Sequence, residues 1–326
     1  MLLSLRNLKV GLRGDAGPTE LVRGVSLDID QGEIVGLVGE SGSGKSLTAL
    51  SVTRLLPAGI EILGGEIMLN GVDLGRLSDA ELHAFRGKQV GVIFQDPLTA
   101  LNPTLSIGAQ LVDVVRSRFD CSRGEARMRA VAALRSVGIP LPEQRMRAYP
   151  HQLSGGMRQR VLIAMVVLGT PKLILADEPT TALDVTVQAR IIRLLRAIQT
   201  SGNAAILFIS HNLDLVAEFC DRVVVLYGGR IMEQGTSAQI VGTPRHPYTR
   251  ALLQCIPRID GEQGPLRVIP GQPPADPGAL AGCPFAARCA RVQPQCREDI
   301  PPLSHGAAGH SFYCWNPEPA GGGAHA

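Results

Sequence analysis

Gly39-Glu40-Ser41-Gly42-Ser43-Gly44-Lys45-Ser46 is the stretch that decides how this chain is read. The apolar run Ile34 to Val38 before it reads as a buried strand, and Ser46 to Leu56 after it suits a helix. Glycines at 39, 42 and 44 let the backbone curl around an anion, with N–H groups and a helix N-terminus directed at it. Lys45 then reaches the outer phosphates of a nucleotide, and the Ser46 hydroxyl ligates Mg²⁺. A tight turn would use the same glycines, but it needs neither Lys45-Ser46 nor the strand and helix on either side.

Further along, Leu173-Ile174-Leu175-Ala176-Asp177-Glu178 reads as a second buried strand. It ends in two acids at the edge where open α/β sheets bind ligands. Asp177 is suited to hold Mg²⁺ through water, and Glu178 to orient or deprotonate an attacking water. An acidic strand end alone is often solvated punctuation; paired with the phosphate loop it points to nucleotide hydrolysis.

Between and around these points the chain alternates strand-like and helical runs, which argues for an α/β core. Gly64-Gly65, Asn70-Gly71 and Gly228-Gly229 read as hairpin turns. From Ala100 to about Leu168 the periodicity is helical, which predicts an inserted α-helical subdomain. Within it, Glu125 to Val137 sets Met128, Val131, Ala132 and Leu134 near one face. The expected organisation is a nucleotide-binding domain over 1–242, with an N-terminal antiparallel β subdomain, and a C-terminal extension over 243–326. That extension is rich in proline, and its last residues, Gly321 to Ala326, read as a frayed tail.

Bulk properties narrow the possibilities. The 326 residues are 45% hydrophobic and 19% charged, the balance of a globular chain rather than a disordered one. A net charge of +3 with no basic block is too small to argue for nucleic acid, and no nucleic-acid partner is expected. The apolar run Val161 to Leu168 falls far short of the about 20 residues that span a membrane. No signal segment is read at Met1-Leu2-Leu3-Ser4-Leu5, so the expectation is a cytoplasmic protein that meets a membrane only through a partner. Of seven cysteines, Cys283, Cys289, Cys296 and Cys314 crowd the last fifth of the chain. In a reducing compartment such a cluster holds a metal more often than it forms disulfides.

Leu153-Ser154-Gly155-Gly156-Met157-Arg158-Gln159-Arg160 makes the resemblance specific. It resembles the signature motif of ATP-binding cassette (ABC) ATPases. A helix capped at Ser154 presents free N–H groups to an anion. In the family that anion is the γ-phosphate on an opposing subunit, so two cassettes sandwich two ATP molecules. The resemblance implies that Ser154, Gly155 and Gly156 complete the partner's site. Gln95, in Phe94-Gln95-Asp96-Pro97, matches the glutamine that contacts Mg²⁺ and the attacking water. Ala182-Leu183-Asp184 matches the loop that crosses the dimer interface, and His211 the switch histidine at the γ-phosphate. One position departs from the pattern: Leu12 stands about where an aromatic usually stacks on adenine.

Three stretches are similar to the dipeptide/oligopeptide (and nickel) importer ATPases. They are Gln95 to Pro103, Thr181 to Gln188, and Pro244-Arg245-His246-Pro247-Tyr248-Thr249 with the Ile269 to Pro274 segment that follows. The resemblance implies a second ATPase subunit, usually a paralogue, two membrane permeases and an extracytoplasmic substrate-binding protein, with the chain on the cytoplasmic membrane face. It also implies a [4Fe–4S] cluster on the four clustered cysteines, as some members carry. The cysteine spacing lacks the close pairs usual for zinc, yet zinc, and free thiols or an oxidised pair, stay open as alternatives. Phe285 and Trp315, beside two of the cysteines, are expected to shield that site. Peptide is favoured over nickel as cargo. A soluble cassette acting on ribosomes or DNA, the reading from another class, lacks its coiled-coil insertion or second cassette here.

Overall fold

The computed structural model describes residues 1–14, 17–181, 183–256, 268–274 and 276–320. Ala182 and the glycine-rich end from 321 therefore lie outside the described residues. In chain order the described strands are β1 (Leu3–Gly14), β2 (Gly17–Ile29), β3 (Ile34–Val38), β4 (Ile60–Leu69), β5 (Val72–Asp73) and β6 (Val90–Ile93). They continue as β7 (Leu173–Asp177), β8 (Ala205–Ile209), β9 (Arg222–Tyr227), β10 (Arg230–Thr236), β11 (Leu303–His305) and β12 (Ser311–Tyr313). Two compact units share them: Met1–Ile29, Ile34–Gly75 and Phe208–Ala326 form one, Asp30–Glu33 and Arg76–Leu207 the other.

The first unit holds an antiparallel sheet in the order β2-β1-β4-β5. Strand β1 buries Leu3, Leu5, Leu8 and Val10 without exposure, which ties its register to that of its neighbours. Asn70-Gly71 turns β4 into β5 as expected, with both residues at positive φ. Gly64-Gly65 does not turn the chain. It lies inside β4, where the pairing with β1 slips between Arg6 and Lys9. Asn7 bulges out there, and a Cβ on Gly65, at φ 93, would fall 2.5 Å from the Asn7 carbonyl oxygen. The pair of glycines marks a bulge rather than a hairpin.

A second set of strands in this unit runs β11-β12-β10-β9-β3. β3 and β9 are parallel, from Val35 opposite Arg222 to Val38 opposite Val225; β3 is buried throughout and β9 from Val223 onward, as parallel strands require. Gly228-Gly229 closes the β9–β10 hairpin as read from sequence. The C-terminal extension is more regular than its sequence suggests: β12 pairs with β10, setting Phe312 opposite Glu233, so cysteine-bearing sequence extends the sheet.

In the second unit β6 and β7 pair in parallel, from Val90 opposite Leu173 to Ile93 opposite Ala176. Helices Ile107–Arg118, Arg123–Ser136 and Gly155–Val167 pack on one another, and Val185–Gly202 follows β7. Helix Arg123–Ser136 starts at a capping box between Ser122 and Glu125. Its buried face differs from the expected one: Ala126, Ala130, Ala133 and Leu134 turn inward, whereas Met128 is 67% exposed. Alanines at the helical repeat let neighbouring helices approach closely, so the larger Met128 is left outside. No described helix is long and apolar enough to cross a membrane.

Candidate functional site

The phosphate loop lies in the first unit, between β3 and helix Lys45–Thr53. Gly39 has φ 152, and a Cβ there would fall 2.2 Å from the Leu226 carbonyl oxygen on β9, so only glycine lets the chain leave the sheet at this point. Gly44, at φ 98, begins the helix without a side-chain cap, which leaves its first amides facing the loop's hollow. Lys45, 6% exposed, donates to the carbonyl oxygens of Gly39 and Glu40 at 2.8 Å each and to Ser43 Oγ at 3.3 Å. Its ammonium thus spans the loop and holds the curl shut. Ser46 follows it on the helix. In the same unit Ser210 N donates to the Leu37 carbonyl oxygen, which sets the exposed His211 beside the C-terminal end of β3.

Contacts not anticipated from sequence support the loop. The Tyr248 hydroxyl accepts from Glu40 N at 2.9 Å, and the Glu40 carboxylate meets Arg288. Tyr248 is wholly buried, with its ring 4.6 Å from that of Tyr227 and 5.1 Å from that of Phe285, centroid to centroid. The motif His246-Pro247-Tyr248 is built to aim it. His246 caps helix Pro247–Gln254 through Nδ1, which accepts from Tyr248 N at 3.0 Å, and Pro247 takes the first helical position. The buried Glu233 accepts from the backbone N–H groups of Arg245 and His246, while His310 Nε2 stands 2.7 Å from it. Burial pushes the His246 imidazole down to about 4, against the opposing pull of Glu233.

In the second unit the β6–β7 pair brings the predicted acid and amide together. Gln95 Nε2 donates to Glu178 Oε2 at 3.2 Å, and the Thr181 hydroxyl donates to the same oxygen at 2.9 Å. Asp177 ends β7 almost fully buried. Glu178 leaves the strand at φ 45, a left-handed conformation unusual for a glutamate that turns its carboxylate toward Gln95. Sequence motifs give Thr181 no role; its hydroxyl, three residues beyond an acid at a strand end, is the available signal. Ser154 caps helix Gly155–Val167, its hydroxyl accepting from Met157 N at 3.4 Å, and Gly155 is exposed at the tip. Asp184 caps helix Val185–Gly202 by accepting from Val187 N at 2.9 Å.

The sequence is similar to known proteins along nearly the whole chain. Residues 22–181 match the family described as ABC transporter, and residues 232–296 match the oligopeptide/dipeptide transporter C-terminal region. A dipeptide transport ATP-binding protein of Bacillus subtilis is 44% identical over 96% of this chain and 94% of its own length. The oligopeptide transport ATP-binding protein of Escherichia coli is 43% identical over 97% of this chain and 93% of its own. An ATP-binding cassette solved as a dimer in a post-hydrolysis state with ADP and Pi aligns with a TM-score of 0.65 at 28% identity, covering 72% of this chain and 99% of that one.

The chain belongs to the ABC transporter ATP-binding family.

It carries that family's ATPase cassette and, behind it, the C-terminal region of the oligopeptide/dipeptide branch. Leu12 lies on β1, 43% exposed and opposite Thr19 and Ile60, so the position offers apolar contact without a stacking ring.

Among the described residues no disulfide joins any of the seven cysteines. Cys283 N donates to the Cys296 carbonyl oxygen at 2.8 Å, while the backbone amides of Arg291 and Gln293 point at Cys289 Sγ and Cys296 Sγ at 3.4 and 3.5 Å. Burial pushes the Cys283 thiol up to about 12 and Cys314 to about 11, and the clustered cysteines add to the rise in both. Among the described residues no group of three or more His, Cys, Asp or Glu side chains converges as a metal-ion site, so this geometry supports neither the expected [4Fe–4S] cluster nor zinc. Phe285 is 2% exposed within the Tyr227–Tyr248 ring cluster, and Trp315 Nε1 donates to the Asp299 carbonyl oxygen at 3.2 Å.

Proposed function

We propose that this ABC ATPase drives a binding-protein-dependent importer of di- and oligopeptides from the cytoplasmic face of the membrane. The observation that carries the reading is the Glu178 carboxylate, held by Gln95 and Thr181 at the end of a buried parallel strand. An oriented carboxylate of this kind aligns a water for attack on a phosphoryl group. Lys45 and the amides that start helix Lys45–Thr53 bind the β- and γ-phosphates, cradled by the backbone from Gly39 to Gly44, Ser41 and Ser43 included. His211 contacts the γ-phosphate. The hydroxyl of Ser46, the carboxylate of Asp177 and the amide of Gln95 are hard oxygen donors of the kind Mg²⁺ takes. Bound there, Mg²⁺ neutralises charge on the phosphates. Ser154, Gly155 and Gly156 close over nucleotide held by a second ATPase subunit, across an interface that includes Asp184. Productive hydrolysis therefore needs a pair of cassettes.

The C-terminal region at 232–296 and the dipeptide and oligopeptide names of the relatives support peptide as cargo, and with it two membrane permeases and an extracytoplasmic binding protein. Cys283, Cys289, Cys296 and Cys314 hold a [4Fe–4S] cluster in this reading. A four-iron cube spaces its ligating sulfurs more widely than a single ion does, and backbone amides directed at sulfur suit it. The cluster would cross-link a loop-rich module. Anaerobic purification followed by iron and sulfide analysis tests it; zinc, or metal-free thiols, would refute it. The function is tested by reconstituting the assembled transporter in vesicles. ATP-dependent uptake of labelled di- and oligopeptides is expected. Uptake of Ni²⁺ alone would overturn the peptide assignment, and ATP turnover coupled to no solute would overturn the importer.

A further inference from the structure

The C-terminal module does more than follow the cassette in sequence; it touches the phosphate loop at one residue from two sides. Glu40 is the second residue of the loop. Its backbone N–H is taken by the Tyr248 hydroxyl, and its carboxylate by Arg288, which directly precedes Cys289. Arg288 has a side chain only 6% exposed, and each of its five N–H donors has an acceptor. Nη1 donates to Glu40 Oε2 at 2.5 Å and to the Tyr227 hydroxyl at 3.0 Å. Nη2 donates to Glu40 Oε1 at 3.1 Å and to the Ile269 carbonyl oxygen at 3.0 Å, and Nε to that of Pro270 at 2.9 Å. A guanidinium satisfied on every side cannot swing away without stranding a buried donor, so it fixes the carboxylate it grips.

We propose that Arg288 is a positioning residue of the nucleotide site, through which the C-terminal cysteine module holds the phosphate loop in its binding conformation. Two physical effects combine in it. The fork locks Glu40, and with it the Glu40 carbonyl oxygen that receives Lys45 Nζ, so the loop keeps its curl before nucleotide arrives. It also neutralises a carboxylate that would otherwise stand unpaired on a loop built to receive polyphosphate, repelling the ligand. Lysine cannot replace it, because an ammonium has neither the planar fork nor enough donors to meet all these acceptors.

The inference rests on Gly39–Ser46 being the nucleotide loop, so MgATP affinity is measured on the wild-type chain first, with a fluorescent ATP analogue. Wild-type protein that binds no nucleotide sinks the site assignment itself. Given binding, Arg288→Met is expected to weaken it about tenfold, the order of one lost charge-assisted contact, about 1.4 kcal/mol. In the assembled transporter the same variant raises KM while kcat stays within about twofold. Hydrogen exchange at the amides of 40–45 speeds up in the nucleotide-free variant. The deciding measurement is the double variant. Glu40→Gln removes the stranded charge, so adding it to Arg288→Met recovers part of the lost affinity instead of deepening the loss. Wild-type affinity in Arg288→Met overturns the proposal. So does a double variant at or below Arg288→Met, which is also the result expected if that substitution merely unfolded the module.

Discussion

The phosphate loop and the cysteine module are neighbours in one unit of the fold, yet their sequences disclose very different amounts. The loop's chemistry can be read in eight consecutive residues, because its cation is bonded close by: Lys45 reaches back to Gly39, Glu40 and Ser43. The module's residues acquire meaning from partners far along the chain. Arg288 lies 248 positions from Glu40 and Tyr248 lies 208 from it. A short motif can be read where the physics is local, and only the folded chain shows what a distant arginine is for.

That contrast can be broken from the loop's side first, where the effect is largest. Lys45→Met removes the cation that binds phosphate and the donor that closes the curl. MgATP affinity should fall at least about a hundredfold, the scale of two charge-assisted hydrogen bonds. Equilibrium binding checks it, and a loss below tenfold would mean that the backbone amides alone carry the site.

On the module's side the larger effect is on stability. His246 stays neutral in the folded chain down to about pH 4, because burial lowers its pKa from 6.5, whereas the unfolded chain takes up the proton near that ordinary value. The stabilisation from neutral His246 is therefore complete above about pH 6.5 and is lost as pH falls from there toward 4. The full loss is on the order of 3 kcal/mol. Denaturant titrations between pH 7 and 4 should show a slope that flattens in His246→Asn, which keeps an N-capping acceptor for Tyr248 N. An unchanged slope would place the acid sensitivity elsewhere. The smallest effect is expected at an exposed ion pair of the other unit, Arg135 with Glu143 at 2.6 Å. Arg135→Ala should change stability by no more than about 0.5 kcal/mol by the same titration.

The same division between local and distant causes explains which parts of the fold were legible. Asn70-Gly71 and Gly228-Gly229 could be read as hairpins because the turn residues themselves dictate the turn. Gly64-Gly65 could not, since its bulge answers to Asn7 on another strand. In helix Arg123–Ser136 the apolar residues suggested one face, but close packing selected the alanines, and Met128 stayed in solvent. At the site, Gln95 and Glu178 were named from motifs, and strand pairing puts them in contact. Thr181, which shares the Glu178 oxygen, carries no motif of its own. His246-Pro247-Tyr248 stood out as a pattern, while its physical reason, a buried hydroxyl aimed at the loop, needed the structure.

The central claim is that Glu178 activates water for MgATP held by paired cassettes, and Glu178→Gln tests it most directly. The amide keeps the shape and an acceptor for Thr181 but cannot take a proton. MgATP binding by the assembled transporter should remain within about twofold of wild type, while steady-state hydrolysis falls by about 10²-fold or more. Hydrolysis retained at near wild-type rates, with binding intact, would contradict the account.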